Sequence, residues 1–240
     1  MRKRWKEGKI IKKEKISNNT NHLTIAVEDT VLKEYNPGQF ITLDLPIGEK
    51  RLDRWRSYSI AGTDLISNTL DLSIVKMQGG KGSTFLSEQI NVGEHITFKG
   101  PEGQFVLPSN LDQTIVMVCT GTGVAPFRAM IRSIINKKLV PKKIHLIFGT
   151  RTINDILYKD EFEQYEKEYD WFQYSISLSR QKWNGRMGYV HEIYKQLYPK
   201  EYQNTTFLLC GWSMMVDEAK DILINQLGYD PSRVVYELYG

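Results

Sequence analysis

Cysteine is nearly absent from this chain: there are two, Cys119 and Cys210, in 240 residues. Two thiols cannot hold an iron–sulfur cluster of the usual four-thiolate kind, so such a centre is excluded within this chain. A disulfide between them is not expected in a reducing compartment. Histidine is scarce as well. His22, His95, His145 and His191 show neither metal-ligand spacing nor a serine partner, so no metal site is expected. No apolar run approaches the length of a membrane span. The start, Met1 to Lys6, has no apolar stretch behind it and does not read as an export signal, which makes the cytoplasm the expected location. Neither sign of charge dominates, with 32 Lys and Arg against 28 Asp and Glu, a net charge of +4.

What charge there is lies unevenly. Arg2, Lys3, Arg4, Lys6, Lys9, Lys12, Lys13 and Lys15 crowd the start, and Lys137, Lys138, Lys142 and Lys143 form a second knot. A solvated surface accounts for such runs, and so does steering of an acidic partner. No recognition helix or aromatic-interleaved basic motif accompanies them, which argues against nucleic acid.

The first half has the grammar of strands. Leu23 to Val27, Phe40 to Leu45, Leu70 to Val75 and His95 to Phe98 alternate at period two, with turns at Asn36-Pro37-Gly38, Gly79-Gly80, Asn91-Val92-Gly93 and Gly100-Pro101. Short, closely spaced strands predict an all-β barrel or sandwich, with one short helix around Thr84 to Gln89. After Ser109-Asn110 the pattern changes. Thr114 to Cys119 is a continuous apolar strand, the turn Thr120-Gly121-Thr122-Gly123 follows, and a helix begins near Pro126 with an apolar stripe of Phe127, Met130, Ile131, Ile134 and Ile135. Strands at Lys143 to Phe148, Phe172 to Leu178, Thr206 to Cys210 and Val234 to Leu238 alternate with helices, one of them Met215 to Leu227. That alternation predicts a parallel sheet. The boundary is expected between Leu107 and Gln113, giving domains 1–110 and 111–240.

Two constellations carry chemistry. Arg56-Ser57-Tyr58-Ser59 puts a cation, an aromatic face and a hydroxyl within one short run. Downstream, Gly80-Lys81-Gly82-Ser83 is a glycine-rich turn bearing a serine. Together they suit a flavin nucleotide, whose phosphates need charge and close backbone and whose ring needs a stacking partner. The second is the Gly121-Thr122-Gly123 turn at the end of a parallel strand, where a helix N-terminus favours a pyrophosphate. Alone, it serves equally as a tight connection. Cys210-Gly211 ends a later strand that would border the same crevice.

Along its whole length the chain resembles the ferredoxin–NADP reductase superfamily. The matching motifs are Pro37-Gly38-Gln39-Phe40, Arg56 to Ser59, Gly80 to Ser83, Gly100 to Gly103, Gly121 to Pro126, Gly149-Thr150-Arg151, Ser179-Arg180, Cys210-Gly211 with Met215-Val216, and Glu237-Leu238-Tyr239. The resemblance implies an antiparallel Greek-key flavin-binding β-barrel followed by a parallel-sheet α/β pyridine-nucleotide domain. It implies FAD as cofactor, with FMN open, and NADP(H) as substrate. By the same resemblance Arg56, Ser57, Tyr58, Ser59, Lys76, Gly80, Gly82, Ser83 and Thr84 hold the flavin, and Tyr239 covers its face. Ser83 is expected to donate a hydrogen bond to phosphate. Thr122, Gly123, Arg151, Ser179, Arg180, Arg186, Cys210, Gly211 and Met215 hold the nucleotide, and Ser59, Cys210 and Glu237 form the catalytic set. Arg151, Arg180 and Arg186 favour NADPH, because a ribose phosphate is matched by forked guanidinium groups. The implied partner is a separate ferredoxin or flavodoxin. An NADH-dependent reductase component of an oxygenase, a free-flavin reductase, and a flavin-binding regulatory or electron-conduit subunit remain alternatives. Trp212-Ser213, after Cys210-Gly211, departs from the family pattern.

Overall fold

The computed structural model describes residues 4–199 and 204–239. They divide into two compact units, Met1–Leu107 together with Ala125–Ser133, and Pro108–Val124 together with Ile134–Gly240. Among the described residues, no helix is long and apolar enough to cross a membrane.

In the first unit, β1 (Lys6–Lys15), β2 (Thr20–Ala26), β3 (Phe40–Asp44), β4 (Trp55–Asp64), β5 (Thr69–Val75) and β6 (His95–Glu102) close a barrel in the order β1-β2-β5-β4-β3-β6. Every neighbouring pair is antiparallel. Alternation fixes which face turns inward. The pairing of Leu23 with Leu72 and Ile25 with Leu70 across β2 and β5 fills the interior, joined by Ile41 and Leu43 of β3 and Phe98 of β6. Each such side chain contributes roughly 1.5–3 kcal/mol by leaving water.

Four of the six strands were expected from their alternation. The other two, β1 and β4, are additions with physical reasons. In β1 only Gly8 and Ile10 are buried and lysines occupy most of the outward positions, so the basic run at the start is largely a barrel strand. In β4 the polar Arg56, Ser57 and Ser59 and a bulge between Ile60 and Gly62 break the period. The single helix expected near Thr84 to Gln89 is present as α3 (Lys81–Thr84) running into a π-helical turn, Phe85–Gln89. Two further short helical segments, α1 (Asp29–Lys33) and α2 (Arg51–Arg54), have too few residues to display an apolar period.

The second unit holds a parallel sheet of β7 (Thr114–Thr120), β8 (Lys143–Thr150), β9 (Phe172–Leu178), β10 (Arg186–Met187), β11 (Thr205–Trp212) and β12 (Val234–Tyr239). Its order is β10-β9-β8-β7-β11-β12. The helices are α4 (Val124–Asn136), α5 (Lys159–Glu168), α6 (Val190–Leu197) and α7 (Ser213–Lys220), the last extended by a π-helical turn over Asp221–Gln226. On one face of the sheet Val116, Val118, Phe207 and Leu209 pack with Val190, Ile193 and Tyr194 of α6 and Val216 and Ala219 of α7. Residues Ala125–Ser133 of α4 count with the barrel, where the Phe127 ring lies 5.8 Å from that of Phe105.

His145 is fully buried in β8, with Nδ1 2.9 Å from the Tyr198 hydroxyl and Nε2 2.9 Å from the Ser175 hydroxyl. Burial, reinforced by the charges of Lys143 and Arg186, pushes its pKa down to about 3 from 6.5. The folded protein therefore keeps His145 neutral, while the unfolded chain binds a proton below pH 6.5. Stability is lost as the pH falls from 6.5 toward 3, by about 2 kcal/mol at pH 5 from this group. His145→Gln is expected to flatten that part of the stability-versus-pH curve, measured by urea unfolding at pH 7 and pH 5. An unaltered slope would contradict the assignment.

Candidate functional site

Strand β4 presents the Arg56-to-Ser59 motif on the barrel. Leu43 and Ile41 of β3 pair with Arg56 and Tyr58, which sets the register of the motif. Nη1 of Arg56 donates to the carbonyls of Leu52 at 2.9 Å and Trp55 at 2.7 Å, so α2 orients the guanidinium. Ser57 shares a hydrogen bond with Thr42 at 3.0 Å, and Ser59 is buried. Tyr58 packs against the barrel core, and burial pushes its phenol up to about 12, although the Arg56 charge pulls the other way. At neutral pH its ring is therefore uncharged.

The glycine-rich turn meets this strand from the other side. Gly82 is buried, and a Cβ added there would lie 2.9 Å from Cγ and 3.4 Å from Nε of Arg56. Only a bare backbone lets the arginine stem lie along the first turn of α3. A cation beside the opening amides of a helix is the donor set that a flavin phosphate requires, and the residues present fit that group. Two of the expected residues have partners within the protein. The Ser83 hydroxyl donates to the Gly80 carbonyl and accepts from the Met77 amide, both at 3.0 Å, and so closes the turn. Lys76 forms an ion pair with Glu88 of the π-helical turn, which draws its charge toward that carboxylate. Thr84 sits in the same helical turn, its amide bonded to the Gly80 carbonyl at 2.9 Å.

In the second unit the strand β7 ends at Thr120 and a single 3-10 turn, Gly121–Gly123, leads into α4. Thr122 lies within that turn. Gly121 has φ of +53°, which side chains seldom adopt, and a Cβ on Gly123 would run into the Cys210 carbonyl. The turn therefore lies directly against the end of β11. There a Cβ on Gly211 would come within 2.5 Å of Thr120 Oγ1 and 2.9 Å of Met215 Cε. The Thr120 hydroxyl is buried and has no hydrogen-bond partner in the protein, as expected of a group awaiting a polar ligand. Thr120 stands in the expected turn but not among the residues expected to hold the nucleotide; its signal is its place as the last residue of the strand before the glycines.

Cys210 stands opposite Glu237 in the β11–β12 register, so the structure brings these two expected catalytic residues together. Cys210 is fully buried and Glu237 half-buried. Cys210 is also opposite Cys119, and burial, with its neighbour's charge, pushes the Cys119 thiol well up. Both cysteines are thiols, and Cys119 is a core residue. Ser59 belongs to the barrel unit. Tyr239 closes β12, and the expected stacking of its ring lies outside the described residues.

The cationic residues gather at the carboxyl ends of β8 and β9. The amide of Ser179 bonds the Thr150 carbonyl at 2.9 Å and that of Arg180 bonds the Arg151 carbonyl at 3.0 Å. Arg151 and Arg180 are thus neighbours on adjacent chain segments, and both are exposed. Arg186 begins β10 and donates to the Gln196 side chain at 2.8 Å, while its carbonyl accepts from the Trp183 indole at 2.7 Å.

Residues 7–107 match an oxidoreductase FAD-binding domain, and residues 117–221 match an oxidoreductase NAD-binding domain. A ferredoxin–NADP reductase B from Sorangium cellulosum is 32% identical over 214 residues, 85% of each chain. An NADH-cytochrome b5 reductase 1 from Candida albicans is 32% identical over 205 residues, 84% of this chain and 68% of that one. Among solved structures, a ferredoxin NADP+ reductase from Neisseria gonorrhoeae with bound FAD and NADP has the same fold, with a TM-score of 0.82 and 21% identity over 98% of both chains.

The Gly123 contact is directly testable. Gly123→Ala is expected to cost about 3 kcal/mol in urea unfolding, the upper end for overpacking, because the added Cβ would lie 2.2 Å from a backbone oxygen and moves either the turn or β11. Gly121→Ala, with nothing within 4 Å of its added Cβ, is expected to cost about 1 kcal/mol through its φ alone. Equal effects at the two positions would contradict the packing assigned to Gly123.

Proposed function

Since the chain belongs to the ferredoxin reductase-like family of FAD- and NAD(P)-binding oxidoreductases, we propose that it exchanges electrons between NADPH and a separate acidic one-electron carrier, ferredoxin or flavodoxin. When bound, the flavin supplies the conversion between a two-electron hydride and single-electron transfers. The protein supplies placement and charge. Arg56, laid along Gly82, neutralises phosphate, and the first turn of α3 offers its amides. Tyr58 presents an uncharged ring for stacking on the flavin, and Ser59 offers a hydroxyl to the reacting edge of the flavin. The Gly121–Gly123 turn and the Thr120 hydroxyl take the pyrophosphate side of the nucleotide. Cys210 fills the position beside the nicotinamide with a small, polarisable side chain, and the Glu237 carboxylate opposite it can hold a proton.

The observation that carries the NADPH assignment is the adjacency of Arg151 and Arg180, two exposed guanidinium groups at one strand-end edge. A phosphate between them gains charge-assisted, forked hydrogen bonds that a ribose hydroxyl cannot match. Use of NADH is the second reading, favoured by one observation: Arg186, the third expected cation, is engaged with Gln196. The relative from Candida albicans, a reductase named for NADH and cytochrome b5, belongs with that reading.

Arg180→Ala is expected to raise the NADPH KM about tenfold while the NADH KM changes less than about twofold, in line with loss of one charge-assisted contact. An unchanged NADPH KM would move the assignment to NADH. For the carrier, reduction of an acidic ferredoxin is expected to slow steeply between low and high salt, with reduction of a neutral dye unaffected. A salt-independent rate would remove the acidic carrier.

A further inference from the structure

A buried ionic cluster lies on the barrel just beyond the flavin-facing motif. Across β4 and β5, Ile60 is paired with Leu72 and Gly62 with Asp71, so Ala61 is the extra residue of the bulge. Nη1 of Arg128 donates to the Ala61 carbonyl at 3.0 Å in a buried contact, and the same nitrogen lies 3.3 Å from Oδ2 of Asp71. Arg132 approaches that oxygen at 3.6 Å. The other carboxylate oxygen accepts from the Thr24 hydroxyl at 2.9 Å and lies 3.3 Å from His22 Nε2. All five side chains belong to the barrel unit.

Room for this cluster is made by Gly62. A Cβ there would lie 3.0 Å from Arg128 Nη1, 3.1 Å from Asp71 Oδ2 and 3.2 Å from Arg132 Nη1. The guanidinium is therefore held against β4 backbone at the one residue without a side chain, with its donor aimed at the carbonyl that the bulge turns out of the ladder. Burying such a pair adds little to stability, because desolvation offsets most of the attraction. What it adds is direction, since bulges re-aim the side chains beside them. Two residues before Ala61 stands Ser59, and three before it Tyr58.

We propose that Arg128 and Asp71 are positioning residues for the flavin-facing end of β4: by holding the Ala61 bulge they fix the direction in which Tyr58 and Ser59 are presented. The proposal rests on the reading that Tyr58 and Ser59 face the flavin. It gives the buried arginine of α4 a role in the cofactor site without any contact of its own to the cofactor.

The test uses the full chain, both FAD-free and FAD-loaded, with Arg128→Met, Arg128→Lys, Asp71→Asn and Ser59→Ala. Amide hydrogen exchange at residues 59–62 of the FAD-free protein reads the bulge, and the visible circular dichroism and midpoint potential of bound flavin read the presentation of Tyr58 and Ser59. Arg128→Met is expected to speed that exchange about tenfold, as loss of a hydrogen bond to a charged donor does. It is also expected to alter the flavin dichroism and potential and to lower kcat with the nucleotide KM unchanged. Arg128→Lys, which restores the charge, should recover part of each. Parental exchange at residues 59–62 in Arg128→Met, with only a lower melting temperature, overturns the proposal. If Arg128→Met does not fold, Asp71→Asn is read by the same exchange, and parental exchange there overturns it equally. Ser59→Ala separates the premise from the proposal. If its flavin signals are parental while exchange in Arg128→Met is fast, the role of Ser59 falls and the brace on the bulge stands.

Discussion

Close approach of bare backbone is the constraint on which both halves of this molecule depend. Gly82 leaves space for the Arg56 stem along the opening of α3, and Gly123 sits against the carbonyl of Cys210. In each case a glycine does more than permit a turn: it brings a helix opening against a neighbouring chain segment with nothing between. The result is amide donors and a cation within one turn of each other on the barrel, and amide donors beside an unpartnered hydroxyl on the sheet. Such arrangements present polar groups that suit a phosphate.

Much of this was legible in the sequence, and what was not has a physical cause. Order and spacing of the glycine motifs pointed to both candidate sites, because glycine allows the close backbone approach found there. Strand β7 stood out as an apolar run of the kind buried on both faces, and β8, β9, β11 and β12 by their alternation with helices. Strand β1 was hidden by its lysines, since two inward positions suffice to seal a barrel edge. The π-helical turns after α3 and α7 have no period that distinguishes them from continued α-helix. Side-chain partners were the least readable. Ser83 carries the right hydroxyl, but the fold spends it on the turn itself, and Arg186 finds Gln196, a residue ten positions away. Arg128 adjoins an apolar stripe and would pass for an outward-facing residue, while its carboxylate partner Asp71 alternates with leucines on β5. Neither announces the other, because their pairing depends on a bulge that the local pattern does not encode.

On the proposed function, the two units hold different chemical groups. The barrel offers charge and a neutral aromatic surface, Arg56 with Tyr58. The sheet offers the Thr120 hydroxyl, the Cys210–Glu237 pair and the Arg151–Arg180 edge, each at the carboxyl end of its strand. The buried, neutral His145 stays outside this chemistry. Two thiols cannot make up the four-thiolate set of the usual iron–sulfur cluster.

The central claim is that this chain binds a flavin and reduces it with NADPH. An anaerobic titration of the FAD-loaded protein, followed in the visible spectrum with NADPH and NADH in parallel, tests that claim most directly. The account predicts that stoichiometric NADPH bleaches the flavin band and that NADH does so only in large excess. Preferential bleaching by NADH would contradict the role given to Arg151 and Arg180. Flavin that neither nucleotide reduces would contradict the oxidoreductase account itself.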